Sequence, residues 1–111
     1  MPPNEWARGM VKNALQKMLN DQEAADLANG LDAAYQFDMH VWRIATAPNS
    51  NYKPEKHGND WTDMQQTMYL CDPSVHLMTA DKAICNKVST SHQANRVHDL
   101  VDYLAQNRLS L

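Results

Sequence analysis

Two aspartates, Asp63 and Asp81, have the residue type and the spacing that a divalent-metal site requires. A helix of about ten residues is predicted from Asp63, residues 72–74 are typical of a turn, and residues 75–79 are predicted to form a short apolar strand. The helix would rise about 15 Å and the strand would run about 17 Å. If the strand folds back along the helix, both carboxylates meet at one edge of the fold, where a hard cation can bind.

Each of these acids also has an ordinary structural explanation. A carboxylate near the start of a helix is stabilised by the helix dipole, by about 0.3–1 kcal/mol, whether or not it binds a metal. Asp60 fits this description best, and Asp63 would share it if the helix began later. Asp81 can cap a short helix that begins at Lys82. A metal site and a set of helix caps therefore remain competing interpretations of the same residues.

Helical periodicity dominates the first part of the chain. Helices are predicted near residues 4–19, 20–30 and 31–45, with Asn4 as the cap of the first helix. Asn20, with Glu23 three residues later, has the pattern of a capping box at the start of the second helix. Residues 46–60 contain two prolines, a glycine and three asparagines without an apolar period, and we predict a long loop there.

The second part of the chain mixes short strands with helices. After the strand at residues 75–79, a second short strand is predicted around Val88, and the last helix is predicted to begin near Ser91. We therefore predict an α/β fold that is predominantly helical, with a small parallel sheet of two or three short strands. A chain of 111 residues has room for one domain, so residues 1–111 are expected to form a single unit.

Composition narrows the class of protein. The sequence is 43% hydrophobic and has a net charge of −3, which gives no general electrostatic support for binding nucleic acid. It has no apolar run of about 18 residues and no basic-then-apolar leader, so neither a membrane span nor a signal peptide is expected. Two cysteines are too few for a disulfide scaffold, and reduced thiols in a cytoplasmic protein are predicted.

Residues 60–106 resemble the C-terminal half of a PIN domain. The resemblance rests on Asp63 in a helix, on the strand Leu77-Met78-Thr79-Ala80-Asp81, and on the 18 residues that separate the two aspartates. In that family the third acidic residue opens a helix, and the fourth follows a similar strand at about this distance. Residues 4–9 resemble, more loosely, the segment that carries the family's second acidic residue, which would here be Glu5.

PIN domains are metal-dependent ribonucleases, and the resemblance implies the corresponding chemistry. Asp63, Asp81 and Glu5 would hold Mg²⁺ or Mn²⁺, with Asp63 and Asp81 as the catalytic acids and single-stranded RNA as the substrate. Asp60 and Thr79 would support the site. The family's first strand and first acidic ligand have no counterpart before Glu5, so the resemblance implies a truncated or divergent domain with weak or no activity. The open sheet edges of such a domain favour a homo-oligomer.

Other interpretations stay open beside this one. The chain could be a non-catalytic, α-rich domain that binds itself or a partner and has no metal site. Two cysteines and two histidines could close a tetrahedral zinc site, although their spacing does not match the usual pairs: Cys71, His76, Cys85 and His92. Three tryptophans could stack against bases, although isolated tryptophans at helix ends more often pack in the core: Trp6, Trp42 and Trp61.

Overall fold

The computed structural model describes residues 1–53 and 59–107, which form six α-helices and two short β-strands. In chain order the elements are α1 (Pro3–Leu15), α2 (Asp21–Gly30), α3 (Asp32–Thr46), α4 (Asn59–Thr67), β1 (Leu77–Thr79), α5 (Lys82–Lys87), β2 (Val97–Asp99) and α6 (Leu100–Gln106). Short 3₁₀ turns follow α4 and precede β2, at Met68–Cys71 and Ala94–Arg96. None of these helices combines the length and apolar character that crossing a bilayer demands.

The sheet is parallel, and the predominantly helical α/β class predicted from the sequence is confirmed. Leu77 pairs with Val97, and Thr79 pairs with Asp99. The connection between the two strands contains α5, as expected for a parallel pair, whose strands cannot be joined by a tight hairpin. Because the strands run in the same direction, their carboxyl ends lie at one edge of the sheet.

The position of the second strand differs from the prediction. The strand expected around Val88 is wrong: Val88 is fully buried directly after α5, and the strand is Val97–Asp99. The apolar spacing of residues 97–99 also fits a helical period, which is why the sequence predicts them as part of the last helix. That helix starts only at Leu100, since Asp99 is its N-cap and accepts a hydrogen bond of 3.0 Å from the amide of Asp102.

The helix boundaries near the N terminus follow the sequence signals with one exception. The capping box is confirmed, because Asn20 and Glu23 exchange side-chain and backbone hydrogen bonds of 2.8 and 3.0 Å. The prediction that Asn4 caps α1 is wrong. The helix begins at Pro3, a position where proline loses no helical hydrogen bond. Of the loop predicted at residues 46–60, residues 47–53 lie outside the helices and strands, whereas Thr46 ends α3 and Asn59 begins α4. Residues 54–58 lie outside the described residues.

One core joins the N-terminal helices to the segment that carries the strands. Four of its side chains, from different parts of the chain, are at most 1% exposed: Phe37, Met64, Leu70 and Val88. The buried amide of Gln93 crosses this junction. Its Oε1 accepts from the amide of Ala33 at 2.8 Å, and its Nε2 donates to the carbonyls of Gly30 and Leu70 at 2.7 and 3.0 Å. Gln93 therefore ties the α2–α3 junction to the end of α4.

A second long-range contact sets the start of β1 beside β2. The guanidinium of Arg96 donates to the carbonyls of Leu70, Asp72 and Val75 at 2.7, 2.9 and 2.9 Å. These carbonyls belong to the turn that leads into β1, and Arg96 directly precedes β2. Backbone acceptors in such a turn need partners when they are partly buried. Arg96 supplies them and so fixes the turn against the following strand.

Candidate functional site

Asp81 is held in place by the end of β1. Its amide donates to Thr79 Oγ1 at 3.0 Å, and its Oδ1 accepts from the amide of Ala83 at 2.9 Å, which makes it the N-cap of α5. The cap that the sequence indicated is therefore confirmed. Capping uses only one of the two carboxylate oxygens, so the negative charge remains available at the carboxyl edge of the sheet. Thr79 thus fixes the backbone of Asp81 at the end of the strand.

Asp63 lies in the second turn of α4 and faces the same region. Partial burial raises the pKa of the Asp63 carboxyl above its usual value, and the negative charges of Asp81 and Asp60 raise the pKa further, while Lys87 lowers it. Asp81 therefore lies within electrostatic range of Asp63, although 18 residues separate the two acids in the sequence.

Asp60 is committed to other partners. Its Oδ1 lies 3.1 Å from the ammonium of Lys87, and its Oδ2 accepts a hydrogen bond of 2.9 Å from the hydroxyl of Tyr52. The ammonium of Lys87 also sits 4.8 Å from the centre of the Phe37 ring, a cation–π contact that anchors the lysine. The charge of Asp60 is therefore balanced within the protein.

Asp99 is a candidate site residue that sequence reasoning missed. It ends β2 beside Thr79, so it lies at the same sheet edge as Asp81. While Oδ1 caps α6, Oδ2 is buried and has no hydrogen-bond partner among the described residues. Buried carboxylate oxygens are normally satisfied. The available signal was an Asp placed directly before a helix, three residues ahead of Asp102, which is a common capping pattern.

The pKa of the Cys85 thiol is affected by the negative charges at this edge. Burial raises the pKa of Cys85 above its usual value, and the negative charge of Asp99 adds to the effect, with smaller contributions from Asp81 and Asp102. Asp81 and Asp99 therefore act on one point in α5. We use the name acidic edge for Asp63, Asp81 and Asp99. It is a group of acids in which one carboxylate oxygen, Asp99 Oδ2, lacks a hydrogen-bond partner within residues 1–53 and 59–107.

Glu5 does not join the acidic edge. It is exposed in the first turn of α1, a helix that packs mainly on α2, and it is absent from the charges that act on Asp63. Within residues 1–53 and 59–107, no three His, Cys, Asp or Glu side chains converge closely enough to hold a metal ion. A hard cation at this edge would therefore have at most two of these carboxylates as ligands, and water would have to fill most other positions.

The four residues of the zinc hypothesis are not brought together. The His76 ring bonds to His98, and the His92 ring bonds to the carbonyl of Asn29. Cys71 is exposed and Cys85 is half-buried, and both are free thiols. His98, expected on the solvated side of the last helix, instead lies on β2.

One of the three tryptophans packs in the core, and the other two are exposed. Trp6 is 5% exposed, and its indole N–H donates to Asp38 at 2.9 Å, so it is a packing residue. Trp42 and Trp61 are 61% and 55% exposed. They lie on α3 and α4, and at these positions the packing explanation does not hold. Their exposed rings remain available to a partner.

Comparison with models of known protein families, with curated proteins and with solved structures yields no significant match for this chain. The assignment of function must therefore come from the chemistry of the site. The raised pKa of the half-buried Asp63 carboxyl, to which the charge of Asp81 contributes, favours the binding of positive charge there. At the same sheet edge as Asp81, the buried Asp99 Oδ2 has no hydrogen-bond partner in the part of the chain that the structure describes.

Proposed function

We propose that this chain is a divergent PIN-like domain whose acidic edge binds Mg²⁺ or Mn²⁺ weakly and is related to a ribonuclease site for single-stranded RNA. The observation that carries the proposal is the electrostatic coupling of Asp63 to Asp81, the two acids on which the resemblance rests. A bound divalent ion would favour the ionised form of Asp63 and relieve the repulsion between the two carboxylates. Asp99, which ends the neighbouring strand, adds negative charge to the same edge.

The chemistry of such a site assigns distinct tasks to these side chains. In nucleases of this kind a metal ion lowers the pKa of a bound water and stabilises the charge that develops on the phosphate. Asp63 and Asp81 would orient the ion through their carboxylates, and Thr79 would hold Asp81 through its backbone amide. Two converging carboxylates are fewer than the three or four that bind a hard cation well. We therefore expect weak metal binding and little or no cleavage.

Lys87 further limits the affinity for metal. Its ammonium pairs with Asp60 and lowers the pKa of Asp63, so a protein cation already acts on the charge that an ion would have to neutralise. A partly buried ion pair holds its geometry better than an exposed pair. The negative charge of the proposed site is thus partly neutralised by Lys87.

The test combines Mn²⁺ binding with cleavage of single-stranded RNA. Asp81→Asn separates the effect of charge from the effect of capping. Asparagine can still accept the capping hydrogen bond from the amide of Ala83, but the negative charge is lost. We expect the unmodified chain to bind Mn²⁺ in the millimolar range (about −4 kcal/mol) and to cleave slowly or not at all. Binding should weaken in Asp81→Asn and in Asp63→Asn.

Asp26→Asn is the matched control, since Asp26 is an exposed acid on α2. Equal Mn²⁺ binding by all three variants would refute the site. Robust cleavage that disappears in Asp81→Asn would establish an enzyme and contradict the expected weakness.

A second candidate is self-association without catalysis. Each strand of the two-stranded sheet has one edge that is unpaired among the described residues, and large apolar side chains are exposed on α4 and beyond it. Trp61 is 55% and Tyr69 is 67% exposed, and Tyr69 borders a groove of about 710 Å³ with Met68 and Val75. Surfaces of this kind are often covered by another chain. A monodisperse monomer in multi-angle light scattering at high protein concentration would eliminate this candidate.

A further inference from the structure

The imidazole rings of His76 and His98 form a direct hydrogen bond across the sheet. His76 Nδ1 and His98 Nε2 are 2.8 Å apart, the ring planes differ by 8°, and the ring centres are 5.1 Å apart. With two nitrogens this close and the centres this far apart, the rings meet edge to edge and do not overlap face to face. One nitrogen donates and the other accepts, so the pair shares a single N–H at the point of contact.

The surroundings leave this pair accessible. His76 is exposed, just before β1, and His98 is half-buried on β2, where its ring meets the edge of Tyr103 with ring centres 5.8 Å apart. Alternation along β2 directs the side chain of Asp99 to the opposite face from His98. The histidine pair is therefore separate from the acidic edge, although both are built on the same two strands.

A third donor lies on the face of the sheet that carries the two histidines. Met78 is the direct cross-strand partner of His98, and it follows His76 by two residues, so all three side chains share one face. Met78 is 47% exposed, which leaves its thioether reachable from solvent. Imidazole binds copper, nickel and zinc, and a methionine thioether is known as a weak, long axial ligand in copper sites. This combination of donors differs from the hard oxygen donors of the acidic edge.

The two nitrogens are close enough to become ligands of one ion. Their separation of 2.8 Å is that of the hydrogen bond between the rings, so it does not by itself select a coordination angle. With metal–nitrogen bonds of about 2.0 Å, two ligands of one ion are about 2.8 Å apart at a right angle and about 3.3 Å apart at a tetrahedral angle, so rings that turn toward the ion stay near their present spacing. Copper(II) stands highest in the affinity order of the divalent first-row metals.

We propose that His76 and His98 form a binding site for copper(II), with Met78 as a weak third donor. The ion would take the place of the shared hydrogen bond, and both rings would turn so that their lone pairs point at it. In the neutral pair, the ring that donated the hydrogen bond moves its proton to its outward nitrogen, so no net proton is released. In acidic solution protons compete for the same lone pairs, and binding weakens.

The experiment is a titration of the full chain with Cu²⁺ in the presence of glycine as a competitor, followed by electron paramagnetic resonance. We expect one equivalent to bind with the hyperfine pattern of two nitrogen ligands. His76→Gln and His98→Gln should each weaken binding by about tenfold or more. His40→Gln on α3 is the control and should leave binding unchanged. Cu²⁺ should bind more tightly than Zn²⁺.

Several outcomes would overturn the proposal. Unchanged Cu²⁺ affinity in His76→Gln would refute it, and this variant keeps the test valid if His98→Gln disrupts β2, because His76 is exposed outside the strand. A signal from a single nitrogen ligand would also refute it. Tighter binding of Zn²⁺ than of Cu²⁺ would overturn the assignment of copper. Met78→Leu tests the third donor, and we expect a smaller loss of affinity than for either histidine variant.

Discussion

The ammonium of Lys87 lies 3.1 Å from Asp60 Oδ1, and both side chains are only 16% exposed. This ion pair joins the C-terminal end of α5 to the first turn of α4, the two helices that border the acidic edge. The same lysine lowers the pKa of Asp63. Lys87 therefore links the two helices. Its positive charge also partly neutralises the negative charge that a bound metal ion would neutralise.

Replacing this lysine should have opposite effects on stability and on metal binding. In Lys87→Met, Asp60 loses its ion-pair partner in a half-buried position, and we expect the free energy of unfolding to fall by about 1–3 kcal/mol. Removal of the positive charge should strengthen Mn²⁺ binding several-fold. Urea unfolding and Mn²⁺ titration measure the two effects. Lys12→Met, at an exposed position on α1, is the control. Unchanged or weaker Mn²⁺ binding in Lys87→Met would contradict the role given to Lys87.

Asp63→Asn should stabilise the protein at neutral pH. Since the folded-state pKa of Asp63 is raised above 3.8, the folded state binds more protons than the unfolded state between 3.8 and the raised value. The free energy of unfolding must then fall as pH rises through that interval. Below it both states are protonated and the effect is absent. We expect a gain of roughly 0.2–1 kcal/mol at pH 7 for this solvent-screened group.

Urea unfolding of the unmodified chain and of Asp63→Asn at several pH values checks this expectation. The difference between the two proteins should shrink as the solution becomes acidic. Asp26→Asn provides the comparison for an exposed acid. A destabilised Asp63→Asn at pH 7, or a difference that grows in acid, would be inconsistent with the raised pKa.

Gln93→Leu should be strongly destabilising although it preserves most of the side-chain volume. The substitution removes three hydrogen bonds and leaves the amide of Ala33 and the carbonyl of Gly30 without that partner, while the carbonyl of Leu70 keeps its bond from Arg96. Unsatisfied buried groups are costly, and we expect a loss of about 2–4 kcal/mol. Differential scanning calorimetry should show a Tm lower by about 10 °C or more. Gln66→Leu, at an exposed position on α4, should change the Tm little.

The two thiols should react at different rates with a disulfide reagent at neutral pH. Cys71 is exposed, whereas Cys85 is half-buried and its pKa is raised, first by burial and then by Asp99. The thiolate is the reactive form, so Cys85 should react more slowly. Absorbance kinetics with the unmodified chain should show two phases, and Cys71→Ser should retain only the slow one. A fast phase that survives in Cys71→Ser would contradict the burial of Cys85.

The sequence was sufficient to predict the local features of this fold. The capping box of Asn20 and Glu23, the cap at Asp81 and the predominantly helical class all follow from interactions within a few residues. Such interactions are encoded by residue type and spacing alone. That Asp81 acts electrostatically on Asp63 is compatible with a helix and a returning strand of similar length, and whether the two carboxylates share an ion stays a prediction.

Only the tertiary structure decided which segment pairs with β1. Val97–Asp99 has an apolar spacing compatible with a helix, and its strand form depends on contacts with Leu77–Thr79, about twenty residues away in the sequence. The same is true of the bonds between Gln93 and Gly30 and between Lys87 and Asp60, which span 63 and 27 residues. Periodicity carries no information about such distant partners. The sites that depend on them, the Asp99 end of the acidic edge and the His76–His98 pair, therefore emerge only when the two strands are placed side by side.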